Sequence, residues 1–563
     1  MDYQTQLIIV MVAYVGLLIL WGIYQGRKVK NSQDYAIAGR NLPGWVAALS
    51  ERATGESSWA LLGLPGAAYA TGLTEIWTAI GCVAGIISAW VLIAWRLRDA
   101  AEKYNVTTFT EFIAKKHGET GKWIRIIGSS SIIFFFFLYV GAQFIGGGKT
   151  LSTMFEGLDF WIGVLITAAV IIPYTIYGGF MSVVYTDVVQ AIVMIVTLIV
   201  GPIVGFIYLS NHPELFAQSI PDALDKAGST YTNFIGTAKG FGAGMLIAGG
   251  FSWFFGYLGG QPQLSMRFMA IRDKKQAKRA RNIGVIWTVI AYIGALCLGW
   301  IGIAIFGPHG LEDPESVMPR VILELFPPAI AAILITGAIA AMISTADSLL
   351  ILSATEFTEN ILNSALKKNA EKHSLLRSRL VTAILALVAL GVAYMAPSDL
   401  IFNLVSYVWA GIGGTFSVVI LFTLFWKRFH GKAALATIAG GLLFTVLWIG
   451  TGQESHYRIT EPIITGWHDS GKLNNTVIEK ISPLQDKKII SDFSLKNKLG
   501  KLLTTEELNA SLTVIKNDTK NKGITSRILT FFVALFIAIF TTLILKKKES
   551  AEEVNIRKEP EQG

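Results

Sequence analysis

The sequence predicts an all-α integral membrane protein with about thirteen spanning helices, and three observations predict it. Of the 563 residues 52% are hydrophobic and 15% charged, with a mean hydropathy of +0.52, too apolar for one water-soluble core and too long for one small domain. The apolar residues fall in many separate runs that reach the ~20 residues needed to cross a bilayer as helix. None of these runs alternates with the dyad period of an outer-membrane barrel.

In chain order the spans fall at roughly 5–25, 44–70, 74–96, 124–150, 159–181, 184–209, 241–262, 283–307, 326–360, 380–397, 400–426, 433–451 and 527–545. The first run, Leu7 to Gly22, follows Asp2 and precedes Arg27, Lys28 and Lys30. That is the reverse of a cleavable signal, so the helix is retained. The second is interrupted by Ser50-Glu51-Arg52-Ala53-Thr54-Gly55-Glu56-Ser57-Ser58-Trp59 before it resumes as Ala60-Leu61-Leu62-Gly63. Each ionisable side chain at membrane depth costs at least ~2.5 kcal/mol on insertion scales, so such groups face protein or water and mark an ion or substrate path. At the cytoplasmic start of the sixth span, Asp187 is either a further acid on such a path or an ordinary N-terminal carboxylate that complements the helix dipole.

The seventh span carries Trp253-Phe254-Phe255-Gly256-Tyr257-Leu258-Gly259-Gly260-Gln261-Pro262, a stretch able to unwind and line a pocket with aromatic walls. Close helix packing is the plainer account of its glycines. Because the second and seventh spans would open two five-span halves, paired interruptions favour an inverted repeat. In the ninth span, Ala341, Ser344, Thr345 and Ser348 recur at three, four and seven residues and share one helix face with Asp347 beside them. Oxygen ligands of this kind suit a hard cation, although single hydroxyls in a span more often back-bond or join helices.

Lys and Arg cluster in alternate loops: Arg27 to Lys30, Arg96 to Arg125, Arg272 to Arg281, Lys367 to Arg379, Lys427 to Lys432, and Lys546 to Lys548. The positive-inside rule then places the N-terminus outside and the C-terminus in the cytoplasm. Four parts are expected: a core with its flanking N-terminal helix over 1–451, a long extracytoplasmic loop or small cap over 452–525, a last spanning helix over 526–548, and a cytoplasmic tail over 549–563. Thr505-Glu506-Glu507 would open a short helix in the cap. The formal charge of +9 is explained by topology, which argues against nucleic acid. Cys82 and Cys297 sit in apolar runs, as buried thiols do. No Walker loop, metalloprotease helix pair, nucleophile elbow or kinase set occurs, so neither an ATP-driven pump nor a membrane enzyme is indicated.

Several stretches carry a family resemblance: Trp59 to Tyr69, Glu102-Lys103-Tyr104-Asn105, Tyr177-Gly178-Gly179-Phe180 with Thr186-Asp187-Val188-Val189-Gln190-Ala191, Gln261-Pro262 with Arg267-Phe268-Met269-Ala270, Ser344-Thr345, and Ser406-Tyr407-Val408-Trp409-Ala410-Gly411. Through about residues 5 to 450 the chain resembles the sodium/solute symporter family, and within it the sodium/proline symporters. The resemblance implies a leucine-transporter-like core of two inverted five-helix repeats over spans two to eleven, helices broken at the second and seventh spans, and alternating access. It implies Na+ as coupling ion, no organic cofactor, a small organic solute with proline first, and a multi-pass place in the cell (inner) membrane. The implied sodium ligands are the backbones of Ala53, Glu56 and Ala341 with the hydroxyls of Ser344 and Thr345. Asp187, Asp347 and Ser348 would form a second ion site or an exit path. Ser57, Trp59, Tyr139, Trp253, Tyr257 and Pro262 would line the solute pocket.

Two departures bear on this. The proline carriers have an aspartate where this chain has Gly55, while carboxylates stand at Glu56 and Asp347; and they lack the 452–525 loop. Glu56 either pairs with Arg52 four residues earlier or changes the coupling ion. Coupling to protons, or another amino acid or organic carboxylate as solute, is the alternative; a transporter-fold nutrient sensor is a more distant one.

Overall fold

The computed structural model describes residues 3–545 apart from positions 156, 237, 363–373, 396–400 and 491. Among the described residues, eleven helices are long and apolar enough to cross a membrane. The shortfall against thirteen arises in two places. Gly44–Lys103 runs for 60 residues, about 90 Å of helix and so two crossings, and a 3-10 turn at Gly72–Glu75 divides it. Phe160–Asn211 is continuous for 52 residues, so the fifth and sixth spans meet at a hinge rather than the expected loop. The basic residues Lys367, Lys368 and Lys372, the Lys546 to Lys548 cluster and the 549–563 tail lie outside the described residues.

The hinge is Gly179, at φ 58° and ψ −166°, a backbone region open essentially to glycine alone. A Cβ there would also run into the Tyr35 ring. Gly179→Ala is therefore expected to lower stability by at least about 1–3 kcal/mol, read as an earlier thermal transition of the detergent-solubilised protein. An unmoved transition would mean that the hinge yields without strain.

The ninth span, Pro328–Thr355, is the centre of the bundle. It is buried along nearly its whole length and packs on Gly44–Ser58, Gly121–Met154 and Phe160–Asn211. It then widens into a π-helical turn at Glu356–Leu362. The eleventh span begins as Ile401–Val408, and its first amides are capped from a distance: Glu315 accepts from Ile401 N and Phe402 N, each at 3.0 Å, and pairs with Lys149 at 2.6 Å. A carboxylate at a helix N-terminus satisfies orphan amides and complements the dipole.

Residues 452–525 fold on a core of their own that includes Trp467, Ile481, Leu495, Leu499 and Ile515. Strand Ser455–Tyr457 pairs antiparallel with Lys520–Lys522, which brings the entry and exit of the segment together. Its ends thus deliver the chain to two adjacent helices, Gly431–Gly450 and Ser526–Ile544, which pack on each other. The expected helix is present as Thr505–Thr519, opened by a capping box of Thr504 and Glu507. A hydrogen bond from Lys480 holds the Glu507 carboxyl below its usual range.

Candidate functional site

The second span breaks at Ser57. Its backbone sits at φ 52° and ψ −169°, a strained region for any residue with a Cβ. Freed amides are met by side chains: Ser57 Oγ accepts from Trp59 N at 3.1 Å, and Gln143 Oε1 accepts from Ser58 N at 3.0 Å. The Tyr139 hydroxyl donates to the same Ser57 Oγ at 3.1 Å. Irregular backbone at membrane depth persists only where protein satisfies it in this way.

One turn earlier, the ninth span meets the second. Ser344 Oγ donates to Ala53 O at 3.1 Å and to Ala341 O at 2.9 Å, while Thr345 Oγ1 donates to Thr54 O at 3.0 Å. Five oxygens from two helices that are remote in sequence thus converge, all fully buried. The three hydroxyl-to-carbonyl contacts span 2.9–3.1 Å, and hydroxyl and carbonyl oxygens are the ligands a hard cation takes. A hydroxyl that turns its hydrogen aside presents a lone pair to an ion, so the donor set suits Na+ by its chemistry. The Thr54 carbonyl stands beside that of Ala53 on this hydroxyl face; the Glu56 carbonyl, which the resemblance implies as a ligand, accepts from Trp59 N.

Beyond the break lies an aromatic box. Trp59 stacks on Trp253 with centroids 4.2 Å apart at 13°. Trp409 lies 5.5 Å from Tyr139, 5.2 Å from Tyr257 and 5.8 Å from Trp253, and Phe402 closes against Trp59 and Trp253. The seventh span supplies its part because it too is interrupted: helix Trp253–Tyr257 ends at Leu258, Gly259 turns at φ 77°, and Pro262 starts the second half. Among the described residues, the indole N–H groups of Trp59, Trp253 and Trp409 and the Gln261 amide nitrogen have no hydrogen-bond partner. Five expected solute residues, Ser57, Trp59, Tyr139, Trp253 and Tyr257, therefore come together; Pro262, the sixth, starts the helix that follows the same break. Trp409, Phe402 and Gln143 were not read from the sequence as pocket residues, although Trp409 stands within one of the resemblance motifs.

Two charged clusters flank these sites. Arg52 is fully buried and binds Glu51 through both carboxylate oxygens, Glu56 Oε1 at 2.9 Å and Thr288 Oγ1 at 3.0 Å; Glu51 also accepts from Trp90 Nε1. Tyr292 also acts on the Glu56 carboxylate as a hydrogen-bond partner. Gly55 fits this cluster, because a Cβ there would lie 3.1 Å from Arg52 Nη2 and 3.4 Å from Leu264. Arginine at 52 and a larger residue at 55 compete for one space.

In the second cluster Asp187 sits two turns past the Gly179 hinge, not at a helix start, and is fully buried. It accepts from Ser50 at 2.6 Å and pairs with Arg267 at 3.2 Å. Arg267 also binds Thr54, Ser348 and the Gln263 carbonyl, and Asp347 lies next along, with Ser348 Oγ 3.4 Å from its Oδ1. A guanidinium thus stands where Asp187 and Ser348 face each other. As a basic residue between two spans, Arg267 gave no sequence signal of burial.

Comparison with known proteins gives the relatives of the chain. The family model described as "Sodium:solute symporter family" matches residues 35–441. The chain is 35% identical to the high-affinity proline transporter PutP of Bacillus subtilis, over 77% of this chain and 90% of that protein. It is 34% identical to the osmoregulated proline transporter OpuE of the same organism, over 82% and 92%. With Sodium/proline symporter 2 of Staphylococcus saprophyticus the identity is 33%, over 80% and 86%. Among solved structures, a Na+-coupled sialic acid symporter in a substrate-bound outward-open state superposes with a TM-score of 0.66 at 20% identity, covering 79% of this chain and 92% of that one; at that identity the likeness speaks to the fold.

Proposed function

The chain belongs to the sodium:solute symporter family, and on that premise we propose that it carries proline into the cell with sodium, through the two sites just described. It is a multi-pass cell-membrane transporter, not an enzyme, and it couples a small solute to Na+. Sodium binds among Ala53 O, Thr54 O, Ala341 O, Ser344 and Thr345. The observation that carries this reading is the convergence of the second and ninth spans at Ser344–Ala53 and Thr345–Thr54.

Ion binding there fixes the turn that leads to Ser57 and Trp59, and so orders one wall of the aromatic box. Coupling is then linkage: each ligand raises the affinity of the other by the same factor. The box suits an apolar ring with a charged end, since its rings offer a dry wall and its unpaired indole N–H groups offer donors to a carboxylate. Asp187, Asp347 and Ser348 act on the ion's way out; with Arg267 already supplying positive charge between Asp187 and Ser348, a second sodium at that point is disfavoured electrostatically. No organic cofactor takes part. The loop charges favour an external N-terminus, an external 452–525 cap and a cytoplasmic C-terminus.

Inward sodium gains ~2.3 kcal/mol per charge for each 100 mV, so uptake of a zwitterion is electrogenic. Proteoliposomes are expected to accumulate radiolabelled proline only with an inward sodium gradient, faster when the interior is negative. Equal uptake without sodium would remove the ion from the mechanism, and a proton gradient that replaces it would favour the Glu56 alternative.

A further inference from the structure

Among the described residues four arginines are buried, and three carry carboxylates: Arg52 holds Glu51 and Glu56, Arg98 holds Glu102, and Arg267 holds Asp187. The fourth is Arg527, at the start of the last helix, Ser526–Ile544, beyond the 35–441 stretch that matches the family. It is 8% exposed. Its guanidinium carbon lies 4.6 Å from the centroid of the Trp253 ring, on the indole that stacks with Trp59. Arg527 donates to Ser252 Oγ at 2.9 Å, to Gly249 O at 3.0 Å and to Ser406 Oγ. Every one of these acceptors is neutral. A guanidinium has five donors, so two remain uncommitted, and among the described residues Arg527 makes no ion pair; Glu454 and Glu75 act on it only from farther away. A buried cation without a bound anion is costly, and the planar fork matches a carboxylate with two parallel hydrogen bonds.

We propose that Arg527 is a specificity-determining residue of the solute site, contributed from outside the family core, which receives the carboxylate of the solute over the face of the Trp253 wall. Ser252 on the seventh span and Ser406 on the eleventh hold the fork until a carboxylate enters. The assignment rests on the solute reading above and adds to it: the solute class is narrowed to small carboxylates with an apolar body, and the last helix becomes part of the binding site.

The test compares wild type, Arg527→Gln and Arg527→Lys, each as the full chain in proteoliposomes. Sodium-driven proline uptake is measured with L-proline and L-prolinamide as competitors, the amide keeping ring and amine but lacking the carboxylate. Wild type is expected to prefer proline, whereas Arg527→Gln raises KM for proline by about tenfold or more, the loss of charge-assisted hydrogen bonds, and erases the preference over prolinamide. Arg527→Lys should recover part of the preference. A residue that only pins helices together would lower the maximal rate and leave the competition ratio untouched, which overturns the assignment. If Arg527→Gln does not reach the membrane, Arg527→Lys decides on the same ratio. Wild type that takes up no proline with sodium overturns the solute reading itself, while normal wild-type uptake with an unchanged ratio in the variants overturns Arg527 alone.

Discussion

Replacing Ser344 and Thr345 together by alanine is expected to raise the sodium concentration for half-maximal uptake by roughly 10- to 100-fold, taking about 0.7–1.4 kcal/mol for each lost oxygen contact. Both hydroxyls are fully buried and meet the carbonyls of Ala53 and Thr54. The double variant leaves those carbonyls without the hydroxyl partner in the empty state and the ion without two ligands in the bound state. The second effect is specific to sodium. At saturating sodium the solute KM should approach that of wild type, because the aromatic box is untouched. Sodium titration of intrinsic fluorescence, which reports on the Trp59–Trp253 stack, checks the binding step apart from transport. Unchanged sodium dependence in both measurements places the ion elsewhere.

The hydroxyl face of this site was legible because helical spacing fixes which residues of one helix share a side. The opposing carbonyls were only half legible. Ala53 O and Thr54 O meet the Ser344 and Thr345 hydroxyls, whereas the Glu56 carbonyl accepts from Trp59 N, because the helix stays regular until Ser57. Which carbonyls a broken helix frees depends on the residue where it breaks, and only tertiary partners such as Gln143 and Tyr139 set that residue. The same limit hid Arg267. Its motif reads as the basic end of a span, and burial against Asp187 exists only once the second half of the seventh span, Pro262–Ala270, has folded back onto the second span. The merging of the fifth and sixth spans has a different origin. The sequence places Gly179 inside the fifth span, 159–181, whereas the chain turns at Gly179 itself and helical geometry resumes on both sides with no residues to spare for a loop.

Arg52→Met is expected to remove nearly all folded protein, whereas Glu56→Gln should be tolerated and change the ion dependence of uptake. The asymmetry follows from the wiring. Without Arg52, two buried carboxylates face each other with Trp90 on Glu51 and Tyr292 on Glu56 as their remaining donors, and breaking a buried pair from one side costs about 3–5 kcal/mol. That is a large share of a typical stability of about 5–15 kcal/mol, and here two pairs are lost at once. Without the Glu56 charge, Arg52 still holds Glu51 through both oxygens, so the guanidinium keeps its counter-ion and the fold keeps its core. Glu56 is therefore in excess of what Arg52 needs for neutrality, and it lies two residues from the Thr54 carbonyl of the ion site. Size-exclusion profiles and thermal melts of the two variants, followed by uptake at varied sodium and pH, separate the cases. If Glu56→Gln fails to fold as Arg52→Met does, the acid is a structural counter-charge. If it folds and transports with wild-type ion dependence, the acid has no part in coupling, and the route by which a second ion could enter the cycle closes with it. The triple variant Glu51→Gln/Arg52→Met/Glu56→Gln completes the argument, because removing all three charges together removes the desolvation penalty along with the pairs. It should recover much of the folded yield that Arg52→Met loses.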